Sequence, residues 1–418
     1  NELTSYVSDN LRGDPGTTCV LKLERPTADS TYIPMELKIT RGTIRTNPVP
    51  YYGMVDKNIG YIAISTFAIE GCSKDIKKAL IELKQQGATS IVLDLRGNGG
   101  GLLSEAVNVV NFFVPKGKEI VVTKGKIKQA GSTYKTSNEP IDMEIPLTVL
   151  VDGATASAAE IVSGSLQDLD RAVIVGNRTY GKGLVQVPRE LPYNSSMKVT
   201  TAKYYIPSGR CIQAIDYAKR NADGSVARIP DSLTTVFHTA AGREVRDGGG
   251  IRPDVEVKAE RFPNIMFYLL NDDMIFDYAT QYCIKHPNIG EVKDFSVTDA
   301  DYDDFKQMLK KRNFTYDRQS EKSLKNLKEI AEFEGYMEGA SEEFAALEKK
   351  LTHNLDHELN RFSKQIRKAI AEEIVKRHYF QRGVILERMK DDADLTKAIE
   401  TLKDKEGYTK ILSVPADK

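Results

Sequence analysis

The sequence predicts an α/β protein with a mainly parallel, buried sheet followed by a helical region. Three observations carry this expectation. Between Gly60 and Val175 short apolar runs alternate with amphipathic stretches. Several of those runs, such as Ser90-Ile-Val-Leu-Asp-Leu95 and Leu147-Thr-Val-Leu-Val151, are apolar throughout, the pattern of strands covered on both faces. After Val257 the composition shifts to charged, helix-periodic sequence.

Taken in order, residues 1–44 read as a helix ending at Leu11, a turn at Gly13-Asp-Pro-Gly16, and strands around Cys19–Leu23 and Met35–Ile39. This is too little to fold alone. Because the first residues already read as a helix, the natural start is expected upstream, with any export signal. Residues 45–258 supply strand Tyr61–Ile64, helix Ser73–Gln86, strand Ser90–Leu95 and helix Ser104–Phe113. A charged loop is expected next, then strand Leu147–Val151, helix Ser157–Asp168, strand Ala172–Val175, and two further strands at Leu184–Val187 and Met197–Tyr205. In residues 259–418 one long helix is expected to carry Phe344, Leu347, Leu351, Leu355, Leu359, Phe362, Ile366, Ile370 and Ile374 at spacings of three and four. That stripe reads as a packing face within the region, with self-association as the alternative.

Composition narrows the function. The 59 basic residues balance 59 acidic ones, so no net field recruits nucleic acid or an anionic membrane. No run of about 18 apolar residues is present to span a bilayer. Four cysteines lie scattered without a C-x-x-C pair or zinc spacing and read as buried free thiols. Neither a metal nor a nucleotide cofactor is expected. The pair His353-x-x-x-His357 fails the H-E-x-x-H pattern and reads as a solvated helix face.

Ligand chemistry in open α/β sheets collects beyond the carboxyl ends of the strands. Three segments lie there: Leu93-Asp-Leu-Arg-Gly-Asn-Gly-Gly-Gly101, Val151-Asp-Gly-Ala-Thr-Ala-Ser-Ala-Ala-Glu160, and Gly176-Asn-Arg-Thr-Tyr-Gly-Lys-Gly183. The third is one residue short of a phosphate-binding loop, with Gly183 where a hydroxyl is needed and strands where a helix is needed, so a nucleotide is not expected. The glycine run of the first fails the dinucleotide pattern at Leu102; it reads either as a tight turn or as an oxyanion hole. Ser157-Ala-Ala-Glu160 fits a capping box, and Ser157 equally suits a nucleophile among small neighbours at a helix N-terminus. The available base favours chemistry of one kind. All five histidines lie beyond residue 237, so a serine in the α/β region needs another proton acceptor, and Lys182 is the candidate. Ser195-x-x-Lys198 sits in a turn and strand and is discounted.

Together these segments, with Gly60–Ile64, Arg171–Gln186 and Thr200–Gln213, resemble the C-terminal processing peptidases, or tail-specific proteases, in order and spacing over about 150 residues. The resemblance implies a Ser–Lys serine protease with a crotonase-like core. By position it implies Ser157 as nucleophile, Lys182 as general base and Gln186 as the residue that orients the lysine. The oxyanion hole would be formed by the N–H groups of Ala158 and Gly101, with Gly100 as the neighbouring alternative to Gly101. It further implies that residues 1–44 are the C-terminal half of a PDZ-like domain, that substrates are proteins or peptides bound by their C-termini, and that no cofactor is used. Expected location is the periplasm or envelope of a bacterium, and the helical region is expected to serve oligomerisation or substrate access. The competing expectation is a non-catalytic protein that binds hydrophobic ligands or peptides on the same fold.

Overall fold

The computed structural model describes residues 4–27, 31–126, 131–220, 226–258, 260, 262–351 and 354–413. The chain divides into two compact units. One comprises Arg45–Ala259 and Asp392–Lys418; the other comprises Asn1–Ile44 and Glu260–Asp391.

The first unit is mixed α/β. Its main sheet runs in the order Val255–Glu256, Val173–Gly176, Leu147–Val151, Ser90–Asp94, Ile59–Ala63, Tyr51–Asp56, parallel except for the antiparallel edge strand Tyr51–Asp56. The strands Ile59–Ala63, Ser90–Asp94 and Leu147–Val151 are buried at every position, as their uninterrupted apolar runs require. Helices Cys72–Gln85 and Ala158–Asp168 pack against it, and Leu103–Val110 packs against those two helices. Helix Ala158–Asp168 is buried along its whole length, and the side chains of Glu160, Gln167 and Asp168 are hydrogen-bonded within the protein.

A second, antiparallel sheet orders as Leu184–Leu191, Ser195–Tyr205, Glu119–Gly125, Ser132–Lys135. Here the charged loop expected before Leu147 is corrected. Glu119–Gly125 and Ser132–Lys135 are strands whose charged residues lie outward while Ile120, Val121 and Thr123 are buried. Tyr51–Asp56 is a further strand, beyond those expected from the sequence. Residues 392–418 belong to this unit too: helix Ala393–Lys403 lies against the main sheet, and Tyr408 Oη accepts from Leu147 N at 2.9 Å.

The second unit contains a hairpin, Thr18–Pro26 paired with Tyr32–Thr40, and the helix Thr4–Leu11, which Arg41 ties to the hairpin through Leu11 O (2.9 Å) and Thr17 Oγ1 (3.0 Å). It also contains a helical array with its own core around Leu269, Phe305, Ile366 and Ile370. The single long helix expected across 344–374 is corrected to three: Met337–Leu351, Leu355–Arg361 and Ser363–Met389. Asn354 starts a new helix by accepting His357 N at 3.0 Å, and Phe362, with ψ 19°, interrupts it again. Leu359, Ile366, Ile370 and Ile374 of the stripe are buried, whereas Leu347 is exposed. Among the described residues no helix is long and apolar enough to cross a membrane.

Candidate active site

The three strand-to-loop junctions singled out above meet at the carboxyl edge of the main sheet, because Asp94, Val151 and Gly176 end neighbouring parallel strands. The first two loops are stitched together by hydrogen bonds. Gly97 N donates to Asp152 Oδ1 (3.0 Å), Thr155 Oγ1 to Leu95 O (2.9 Å), and Ala156 N to Asn98 O (2.9 Å). Asn98, fully buried, donates to Ile64 O and accepts Gly100 N at 2.9 Å, which fixes the turn from inside.

Ser157 stands at the start of the buried helix with φ 57° and ψ −118°. A β-carbon disfavours this backbone region, and holding a residue there costs on the order of 1–3 kcal/mol. Its capping box is present, yet the work is one-sided. Ser157 N donates to Glu160 Oε2 at 2.8 Å, whereas Glu160 N goes to the Ser157 carbonyl oxygen (2.9 Å) and the hydroxyl makes no cap hydrogen bond. A strained serine whose hydroxyl does not cap its helix is poorly explained by capping alone.

Glu160 does more than the capping box predicted. Its carboxylate, with no solvent exposure, also accepts Gly181 N (2.7 Å), Lys182 N (2.9 Å) and the Thr179 hydroxyl. One buried carboxylate thus binds the backbone of Ser157 and the backbone of Lys182. Tyr204, buried beneath, points its hydroxyl at the carbonyl oxygens of the same two residues. Apart from the Ser157–Glu160 pair these partners lie 19 residues apart or more, so only the Ser157 contact had a local sequence signal.

The other expected residues fall as follows. Ala158 is buried as the first residue of the helix, and Gly101 is exposed at the loop tip, held in a bridge with Phe67. Among the described residues the N–H groups of Ala158 and Gly101 make no protein hydrogen bond. Gly100 lies closer to the serine: a β-carbon there would come within 2.7 Å of Ser157 Cβ and 2.8 Å of Ala158 N. Its own N–H is taken by Asn98. Lys182 is half-buried, and among the described residues no hydrogen bond joins its amine to the Ser157 hydroxyl. Gln186 is not brought to the lysine amine by a hydrogen bond; at a register shift in its strand, its amide faces Thr200 Oγ1 at 3.4 Å. Beside the lysine loop lies a cavity of about 360 Å³ lined by Leu184, Gln213, Ile215, Tyr217, Ile229 and Leu233 among others, and Gln213 Oε1 accepts Gly183 N at 2.7 Å. Of the histidine pair, His353 lies outside the described residues.

Burial pushes the Glu160 carboxyl up to about 6, its four hydrogen-bond donors opposing the shift. The folded state therefore holds a proton where the unfolded chain, near 4.5, has released it. Its contribution to stability falls as pH rises from about 4.5 to about 6, by roughly 2 kcal/mol. Urea unfolding across that range is expected to show this slope in the wild type and to lose it in Glu160→Gln. A second expectation concerns packing: Gly100→Ala, at φ 94° and with no room for a methyl group, is expected to cost about 2–4 kcal/mol and to displace Ser157. Thermal unfolding beside Gly99→Ala, where nothing lies within 4 Å of a β-carbon, is the check.

Residues 58–219 match the family model described as Peptidase family S41, and residues 265–402 match that of Probable PDZ-protease, C-terminal helical domain. The chain is 38% identical over 213 residues to a carboxy-terminal-processing protease of Bartonella bacilliformis (50% of this chain, 47% of the relative). It is 40% identical over 200 residues to a carboxyl-terminal-processing protease of Picosynechococcus (47% and 46%). With the carboxy-terminal processing protease CtpA of Bacillus subtilis it shares 36% over 202 residues (48% and 42%). The chain thus spans about half the length of the curated relatives it matches. A solved photosystem II D1 C-terminal processing protease aligns at 30% identity over 62% of this chain and 60% of that one, with a TM-score of 0.39.

Proposed function

We propose, from the match of residues 58–219 to the model of peptidase family S41, that this protein is a serine endopeptidase cleaving proteins near their C-termini through an acyl-enzyme. The observation that carries the reading is the Glu160 carboxylate, which binds the amides of a strained Ser157 and of Lys182 at once. A fold built only to bind ligands has no need to couple those two residues.

In this mechanism the Lys182 amine, neutral, takes the proton of the Ser157 hydroxyl as Oγ attacks the scissile carbonyl. The N–H groups of Ala158 and Gly101 hold the oxyanion, each donor being worth about 10²–10³ in rate. The tetrahedral species collapses, the C–N bond breaks, and the lysine returns its proton to the departing amine. Water then attacks the acyl-enzyme with Lys182 taking its proton, and the new carboxyl leaves as Ser157 Oγ is reprotonated. Gln186 is proposed to orient the lysine, which requires its amide to leave Thr200. Apo hydrogen bonds of catalytic groups are commonly long and tighten only on the substrate, which accounts for the separate Ser157 and Lys182 side chains.

The finer architecture is part of the same proposal: a crotonase-like core at 45–258, a helical region at 259–418 whose last residues, from Asp392 on, pack with the core, and residues 1–44 as the second half of a PDZ-like domain. Substrates would be polypeptides presenting a free C-terminus, and the location the envelope of a bacterium, in keeping with the bacterial relatives. Self-association would use the helical region. The test is cleavage of an unfolded, C-terminally tagged protein by wild type, Ser157→Ala and Lys182→Ala. Activity in the wild type with loss in both variants is expected; undiminished cleavage by either variant contradicts the assignment.

A further inference from the structure

We propose that Asp392 and Asp394 are positioning residues for the glycine loop, through Arg96; this rests on the peptidase reading above. Arg96 opens the segment that runs through Gly97 to Gly101, and its guanidinium is saturated by carboxylates. Nε and Nη2 donate to Asp94 (3.0 and 2.6 Å), Nη1 donates to Asp392 Oδ1 (2.9 Å) and Asp394 Oδ2 (3.1 Å), and Nη2 also reaches Asp392 Oδ2 (2.7 Å). Every N–H of the planar fork is used, and the pair with Asp392 is bidentate. The cluster is largely withdrawn from water, with side-chain exposures of 21% for Arg96, 9% for Asp94, 10% for Asp392 and 19% for Asp394.

Two features argue for a role beyond holding a helix. Asp94 alone, which also accepts the buried Tyr61 hydroxyl at 2.6 Å, already neutralises Arg96. Two further carboxylates crowd the same guanidinium, and burial raises the Asp394 carboxyl, so the arrangement is not the cheapest way to dock a helix. What the extra carboxylates add is direction. The segment 97–101 contains four glycines, each able to adopt backbone angles closed to other residues, and is fixed on its inner side by Asn98 and Asp152. Its outer side is fixed at Arg96. Asp392 itself is rigid, because its Oδ1 also accepts Leu395 N at 2.9 Å and caps helix Ala393–Lys403. That helix and the next, Lys405–Leu412, are held elsewhere by Lys403 with Asp56 and Tyr408 with Leu147, at sites remote in sequence from the glycine loop. Asp392 is also the residue at which the chain re-enters this unit after the helical one. The last helices thus reach the oxyanion side of the candidate site through one shared guanidinium.

The test uses the full chain with Asp392→Asn/Asp394→Asn, which removes charge at constant size, Asp392→Glu as the conservative variant, and Lys403→Ala as a docking control. Hydrogen exchange of the 96–102 peptide and kcat and KM on an unstructured protein substrate are read together. Expected for the double variant is about tenfold faster exchange of the loop, with kcat lowered about 10- to 100-fold and KM within about twofold. Asp392→Glu should recover most of kcat, and Lys403→Ala should lower the thermal midpoint with kcat unchanged. Unchanged loop exchange overturns the proposal, as does a double variant that behaves like Lys403→Ala. Exchange is read without turnover, so a wild type that cleaves nothing counts against the peptidase reading and leaves the loop result to decide this one.

Discussion

Ser157→Gly is expected to abolish hydrolysis and, at the same time, to make the protein more stable than Ser157→Ala. Both variants remove the proposed nucleophile, and loss of a nucleophile from a serine protease costs about 10⁴–10⁶ in rate. They differ in backbone. Alanine keeps the β-carbon at φ 57° and ψ −118°, whereas glycine occupies that region freely. The relief is on the order of 1 kcal/mol in favour of glycine. At an ordinary helix start glycine is also preferred to alanine, by up to about 1 kcal/mol, so the strain is the part of the gap that exceeds this value. Urea unfolding of the two variants, followed by circular dichroism, reads the difference directly. If alanine proves the more stable, Ser157 is not strained and its conformation does not serve chemistry.

The second large effect is at Glu160. Glu160→Gln is expected to lower cleavage by about 10²–10³ and to cost several kcal/mol of stability. The carboxylate receives three backbone N–H groups and a hydroxyl. Glutamine turns one acceptor into a donor, so its amide faces N–H groups at a position closed to solvent, and each buried donor left unpaired costs about 1–3 kcal/mol. The rate falls for a separate reason: Ser157 and Lys182 lose the group that holds both backbones, and a shift of about 1 Å between reacting groups costs about 10². Peptide cleavage and thermal unfolding, measured together below the midpoint of the variant, separate the two effects. A variant that is unstable yet fully active when folded would reduce Glu160 to a structural carboxylate.

The sheet was legible because parallel strands buried on both faces must be apolar throughout, and Ser90–Asp94 and Leu147–Val151 carry that requirement openly. The hairpin Glu119–Gly125 with Ser132–Lys135 was hidden by Glu119, Lys124 and Lys135, which lie on the solvent side of a half-covered sheet and read as loop. The long helix was over-read for the opposite reason. A periodic apolar stripe continues across the breaks at Asn354 and Phe362, since hydrophobic spacing records which face is covered and not whether the backbone turns. At the site, the Ser157–Glu160 contact was legible as a local motif. The contacts of Glu160 to Gly181 and Lys182, of Tyr204 to both loops and of Asp392 to Arg96 span 21 to 296 residues, and no local pattern announces them. The left-handed backbone at Ser157 was invisible too, because serine at a helix start is expected with ordinary extended angles.

The central claim is that Ser157 is a nucleophile made reactive by Lys182. It is tested most directly by exposing the protein to a small serine-reactive acylating or phosphonylating probe and locating the adduct by peptide mass spectrometry. One adduct per chain is expected, on Ser157, formed at a rate that falls at least about 10²-fold in Lys182→Ala. No adduct, an adduct on another serine, or labelling of Ser157 that is indifferent to Lys182 would contradict it.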